Sequence, residues 1–149
     1  MKYSIVGISS FLLLLVAIIF LYNSFRKESL QPSLTITYSN ATADIITVEL
    51  PFPGAVTGKQ FSVIGKARGY WFFEASFPVQ VLDKNGKLLT QGFAQAKDEW
   101  MTTDFVPFKA DITIPETYTG PATLVLKKDN PSGLSEYDAF ISFPFTIEY

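Results

Sequence analysis

The sequence predicts an all-β fold, an antiparallel β-sandwich of about seven strands, preceded by one transmembrane helix. Three observations carry this. Apolar and polar residues alternate with a period of two in one stretch after another beyond residue 40. No apolar stripe of helical period follows residue 30. And from Tyr3 to Phe25 no residue is charged.

That uncharged run reads "IVGISSFLLLLVAIIFLY" at its centre. As a helix, residues 3–25 would be ~34 Å long, enough for a hydrocarbon core of about 30 Å. Tyr3 and Tyr22 fall where interfacial aromatics belong. A cleaved signal peptide is the rival reading. Its apolar region is usually only about 7–15 residues long and leads into a small-x-small cleavage site. Here "LYNSFRKES" follows instead. Residues 1–27 are therefore read as a membrane anchor and the polar residues 28–43 as a tether. Lys2 and the amino terminus oppose Arg26 and Lys27, so flanking charge does not decide orientation.

Residues 44–149 form the expected sandwich. Ile46, Val48 and Leu50 alternate with Thr47 and Glu49, and Phe61, Val63, Gly65 and Ala67 with polar neighbours. In "WFFEASFPVQV", Trp71, Phe73, Ala75, Phe77, Val79 and Val81 share one parity, which places them inside and Phe72 and Glu74 outside. Phe108, Ala110, Ile112 and Ile114 repeat the pattern, as do Ile141, Phe143, Phe145 and Ile147. "DKNG" at 83–86 predicts a hairpin with a type I′ turn, because Asn-Gly accepts positive φ. "PFPG" and "YTGP" are further breakers. Strands are expected near 45–50, 60–67, 71–82, 87–94, 108–114, 121–127 and 139–148, and "LTITY" could add an eighth. Short antiparallel strands at this spacing indicate an immunoglobulin-like sandwich.

Composition narrows the function. The chain has no cysteine and no histidine. Disulfides, thiol chemistry, His-based triads and imidazole metal sites are excluded. A net charge of −2 leaves no basic field for nucleic acid. P-loop and nucleophile-elbow motifs are missing. An enzyme would have to work with carboxylates, as glycosidases do. Asp98, Glu99, Asp104 and Glu136 are its loop candidates. Ser132 with Lys127 or Lys128 lacks the S-x-x-K spacing. Asp98, Glu99, Asp104, Asp129, Asn130 and Asp138 are oxygen donors of the kind weak extracellular calcium sites use. No D-x-D-x-D-G run gathers them, and no metal or cofactor is expected.

Several segments occur together in one order: Gly65-x-Ala67-Arg68-Gly69 before Trp71-Phe72-Phe73-Glu74, the Asp83…Asn85-Gly86 hairpin, Trp100-Met101-Thr102-Thr103, and Asp129-Asn130-Pro131-Ser132-Gly133. In this the chain resembles the immunoglobulin-like domain of bacterial spore germination and sporulation proteins, over about residues 44–149. The resemblance implies a non-catalytic binding or scaffolding module of the bacterial envelope, displayed outside the cytoplasm. Its partner would be an envelope protein or a cell-wall component. A carboxylate-based cell-wall hydrolase is the alternative.

Two loops stand out, residues 95–107 and 128–138. Their plain reading is local structure: Asx turns at Asp129 and Asn130, and Trp100 plugging the end of the sandwich. Their sharper reading is a recognition surface. Connections alternate between the two ends of an antiparallel sandwich. Tyr70, Trp100, Asp104, Asp129, Asn130 and Ser132 should therefore share one pole and are the candidate binding residues. The same count puts "PFPGAVTG", "DKNG" and "ETYTG" at the far pole and brings the tether in beside the candidate loops. Arg68 is expected to stack on Trp71.

Overall fold

A computed structural model describes residues 16–19, a helical turn, and residues 34–149. The anchor expectation for residues 3–25 lies almost wholly outside the described residues. Among those described, no helix is long and apolar enough to cross a membrane. One compact unit runs from Leu34 to Tyr149. Residues 34–43, read from sequence as tether, are thus part of it.

All seven expected strands form, joined by two short ones: β1 (Thr37–Ser39), β2 (Ile46–Leu50), β3 (Val56–Thr57), β4 (Gln60–Arg68), β5 (Ser76–Asp83), β6 (Leu88–Ala96), β7 (Phe105–Thr113), β8 (Gly120–Lys127) and β9 (Phe140–Ile147). They pair in the order β1-β9-β8-β5-β6-β7-β4-β2. Within that path every pairing is antiparallel, and β3 adds to β9 in parallel. β6 lies along β5 but meets β7 only at Gln95 and Ala96. The path folds over at that narrow joint. Phe61 of β4 and Phe145 of β9 do not share a ladder, yet their rings are 5.5 Å apart. Phe77 of β5 and Phe108 of β7, also unpaired in the sheet, lie at 4.9 Å edge to face. β2-β4-β7 therefore faces β6-β5-β8-β9, as in an immunoglobulin-like sandwich.

The period-two reading holds along β4, β5, β7 and β9, but on β2 a register shift between Val48 and Leu50 leaves Leu50, expected inside, 50% exposed. Phe77, Val79 and Val81 are buried on β5, and Ile141, Phe143, Phe145 and Ile147 on β9. It fails before β5. Residues Gly69–Trp71 form a 3₁₀ turn, and Glu74 and Ala75 have φ of +49° and +61°. Alternation requires a continuous strand, and this kink resets it. Trp71 is buried as expected, but Phe72 is 4% exposed and packs on Phe77 at 5.2 Å, while Phe73 is 43% exposed. Glu74 is exposed.

The β5–β6 hairpin also differs from expectation. Only Gly86 has positive φ, +80°, so the turn is not type I′. Asp83 Oδ1 instead accepts the backbone N–H of Asn85 (2.7 Å) and of Lys87 (2.9 Å). These bonds hold its carboxyl below the usual carboxylate range. The register shifts between Val81 and Leu82, as it does beside a glycine bulge.

Candidate binding pole

Each candidate loop springs from the same end of the sandwich. β4 ends at Arg68 and β8 at Lys127, and the chain returns in β5, β7 and β9. The turn after β4 and the loop before β7 are in direct contact. Gly69 N–H donates to Asp104 O at 3.2 Å. A Cβ on Gly69 would stand 2.0 Å from Thr102 O and 2.2 Å from Trp100 O, so only glycine allows this approach. On the other flank, Asp129 N–H donates to Trp71 O at 3.2 Å. Asn40, just past β1, donates through Nδ2 to Asp138 O at 2.9 Å.

Arg68 fastens the outer side. Its Nε donates to Asp44 O at 2.9 Å and its Nη1 to Thr103 O at 3.3 Å. Its guanidinium lies 4.1 Å from the centre of the Phe105 ring. The cation–π partner is therefore Phe105, not Trp71, because the indole is turned into the core.

Two clefts open on this pole and share Tyr70. One, of about 450 Å³, is lined by Gly69, Tyr70 and residues 100–103. The other, of about 200 Å³, is lined by Asn40, Ile45, Tyr70, Trp71, Lys128 and residues 136–139. Tyr70, Met101 and Tyr137 are more than half exposed, whereas Trp100 is half-buried against the core. Trp71 Nε1 is buried without a hydrogen-bond partner. A buried donor left unpaired carries a desolvation cost that an acceptor would relieve.

The sequence-selected residues divide into two groups. Tyr70 and Trp100 line clefts. Asp104, Asp129, Asn130 and Ser132 line neither of these two clefts. Asn130 Nδ2 donates to Leu134 O and to Asp138 Oδ1, and Ser132 Oγ donates to Asn130 Oδ1. These two side chains shape their own loop. Asp98 Oδ1 accepts Glu99 N–H, and Glu99 Oε1 accepts Met101 N–H, so both carboxylates serve as local caps. Among the described residues no three acidic side chains come together as a metal site. Ile45 and Tyr137 line the second cleft and were not singled out from sequence. Tyr137 lay within a selected loop. Ile45 had no signal beyond its place just before β2.

The chain does not enter beside these loops. β9 runs away from the pole, so β1, antiparallel to it, runs toward the pole. Leu34 lies against Gly54, whose N–H donates to Pro144 O halfway along β9. The "PFPG" segment is accordingly a crossover on the open edge between β2 and β3. The far pole is made by Lys59, the 83–86 turn and Tyr118: Lys59 Nζ donates to Tyr118 O, and Lys84 N–H donates to the Tyr118 hydroxyl at 3.3 Å.

No curated protein and no solved structure matches the chain. A family model, the immunoglobulin-like domain of bacterial spore germination, matches residues 45–135, which takes in β2 through β8, the 95–107 loop and residues 128–135 of the second selected loop. With its sandwich order and this match over more than half its length, the chain belongs to the family of immunoglobulin-like domains of bacterial spore germination.

Proposed function

We propose that this protein is a binding or scaffolding module of the bacterial envelope, held at the membrane by residues 3–25 and working without catalysis. The sandwich stands outside the cytoplasm, and its partner is an envelope protein or a cell-wall component. The observation that carries this reading is the pair of clefts that meet at Tyr70, with Tyr70, Trp100, Met101 and Tyr137 supplying aromatic and apolar surface beside adaptable polar groups. Rigid aromatics among short polar side chains suit recognition, because they bury area at low conformational cost. The surrounding loops are tied to each other by backbone bonds, so the surface is preorganised.

The test uses purified peptidoglycan and detergent-solubilised envelope as baits for the full chain. Tyr70→Ala and Trp100→Ala should weaken capture, and Lys84→Ala at the far pole should not. Equal capture by all variants would refute the placement. Release of soluble fragments from peptidoglycan, lost in Asp104→Ala or Glu136→Ala, would favour a hydrolase instead.

A further inference from the structure

The open edge between β2 and β3 carries an apolar patch that the sandwich does not use. Residues 50–58, "LPFPGAVTG", contain no charge. Within them Leu50, Phe52 and Val56 are half or more exposed, and Phe52 reaches 59%. They line a shallow cleft of about 220 Å³ backed by Phe61. Leu34, 61% exposed, joins them by its contact with Gly54. Scattered exposed apolar residues need no explanation, but a contiguous group of large ones does.

The patch lies at the point where the chain enters the domain. Only residues 26–33 separate Leu34 from the end of the uncharged run at Phe25. Fully extended, those residues reach about 26–29 Å. Arg26 and Lys27 suit the headgroup layer and shorten the free length further. An apolar edge held this close to a bilayer meets lipid at a high effective concentration. Phe and Leu at such an edge can enter the headgroup–acyl boundary without spanning it.

We propose that the edge formed by Leu34, Leu50, Phe52 and Val56 docks into the bilayer interface and sets the orientation of the domain on the membrane. The inference rests on the reading of residues 3–25 as an anchor and goes beyond it. An anchor alone leaves the domain free to tumble, whereas a docked edge holds the Tyr70 pole in one attitude to the surface.

The chain has no cysteine, so single cysteines report without background. The full chain is reconstituted in vesicles of phosphatidylethanolamine and phosphatidylglycerol containing nitroxide-labelled lipid. A fluorophore is placed in turn at Glu49→Cys beside the patch, Met101→Cys at the candidate pole, and Leu14→Cys within the uncharged run. Quenching at position 49 should exceed that at 101 several-fold, and adding Phe52→Ser to the Glu49→Cys chain should abolish the excess. Equal quenching at 49 and 101, with 14 strongly quenched, overturns the docked edge while the anchor stands. No quenching at 14 overturns the anchor and the docked edge with it. A blue-shifted but unquenched label at 49 means that protein, a second copy included, covers the edge, and also overturns the inference.

Discussion

Replacing Phe72 and Phe73 one at a time separates the kinked backbone from a straight strand. An uninterrupted alternation puts Phe73 in the core and Phe72 in water; the fold does the reverse. Phe72 is 4% exposed and meets Phe77 edge to face. Phe72→Ala removes a buried ring and leaves a cavity, which costs about 3–5 kcal/mol. The edge-to-face contact accounts for roughly 0.5–1.5 kcal/mol of that. Phe73 keeps 43% of its surface in water, so its truncation forfeits about half the value of a fully buried side chain and opens no closed void. From the roughly 1.5–3 kcal/mol for complete burial, that is about 1 kcal/mol. In a domain of this size 1 kcal/mol moves Tm by roughly 3–6 °C. The midpoint of thermal unfolding of residues 34–149, followed by circular dichroism, should drop by about 9–30 °C in Phe72→Ala. In Phe73→Ala the drop should be about 5 °C. Equal losses, or a larger loss in Phe73→Ala, would refute the kink at Glu74 and Ala75.

Gly69→Ala should cost about 1–3 kcal/mol, since its Cβ collides with two carbonyls that must move. Urea unfolding measures the loss, and a red or blue shift in Trp100 emission before unfolding reports the displaced loop. The Asp83 carboxyl is depressed by its bonds from Lys87 and Asn85, so its stabilising effect is complete above the ordinary aspartate pKa of about 3.9 and fades as pH falls through its lower folded value. Asp83→Ala should therefore unfold earlier than the unmodified chain at pH 7, with the gap closing in acid; a gap that widens in acid would contradict the sign. Arg68→Gln should loosen residues 98–104 by freeing both Thr103 O and the Phe105 ring, seen as faster amide exchange there than in β9.

The sandwich was legible because most of its strands are long enough to show a period. β7 and β9 alternate without a break, and their inward residues are the buried ones. β3, at two residues, is too short for any alternation to register, and β1, at three, overlaps only the end of the "LTITY" run that offered an eighth strand, without its pairing or direction. Their consequence was large, since β1 reverses the side from which the chain arrives. The kink before β5 left no trace either, because positive φ falls on Glu74 and Ala75, where no glycine marks it. At the candidate pole, alternation of connections was enough to place the loops together. It could not separate Tyr70 and Trp100, which face clefts, from Asn130 and Ser132, whose polar atoms are taken up by their own turn. That distinction depends on side-chain bonds across several residues, which spacing does not encode.

β9 pairs with three others: β8 along its length, β1 at one end and β3 at the other. Its partners in β1 lie about a hundred residues earlier in the chain, among the most distant contacts a domain of this size can make. During synthesis, β1 and β3 emerge long before the strand that holds them. Until residues 140–147 appear, Phe61 of β4 lacks its ring partner Phe145, and β1 and β3 have no ladder to join. The ladders among β2, β4, β5, β6, β7 and β8 need no residue of β9. The pairings of β1 and β3 wait for the last strand, and such long-range closure is intrinsically slow.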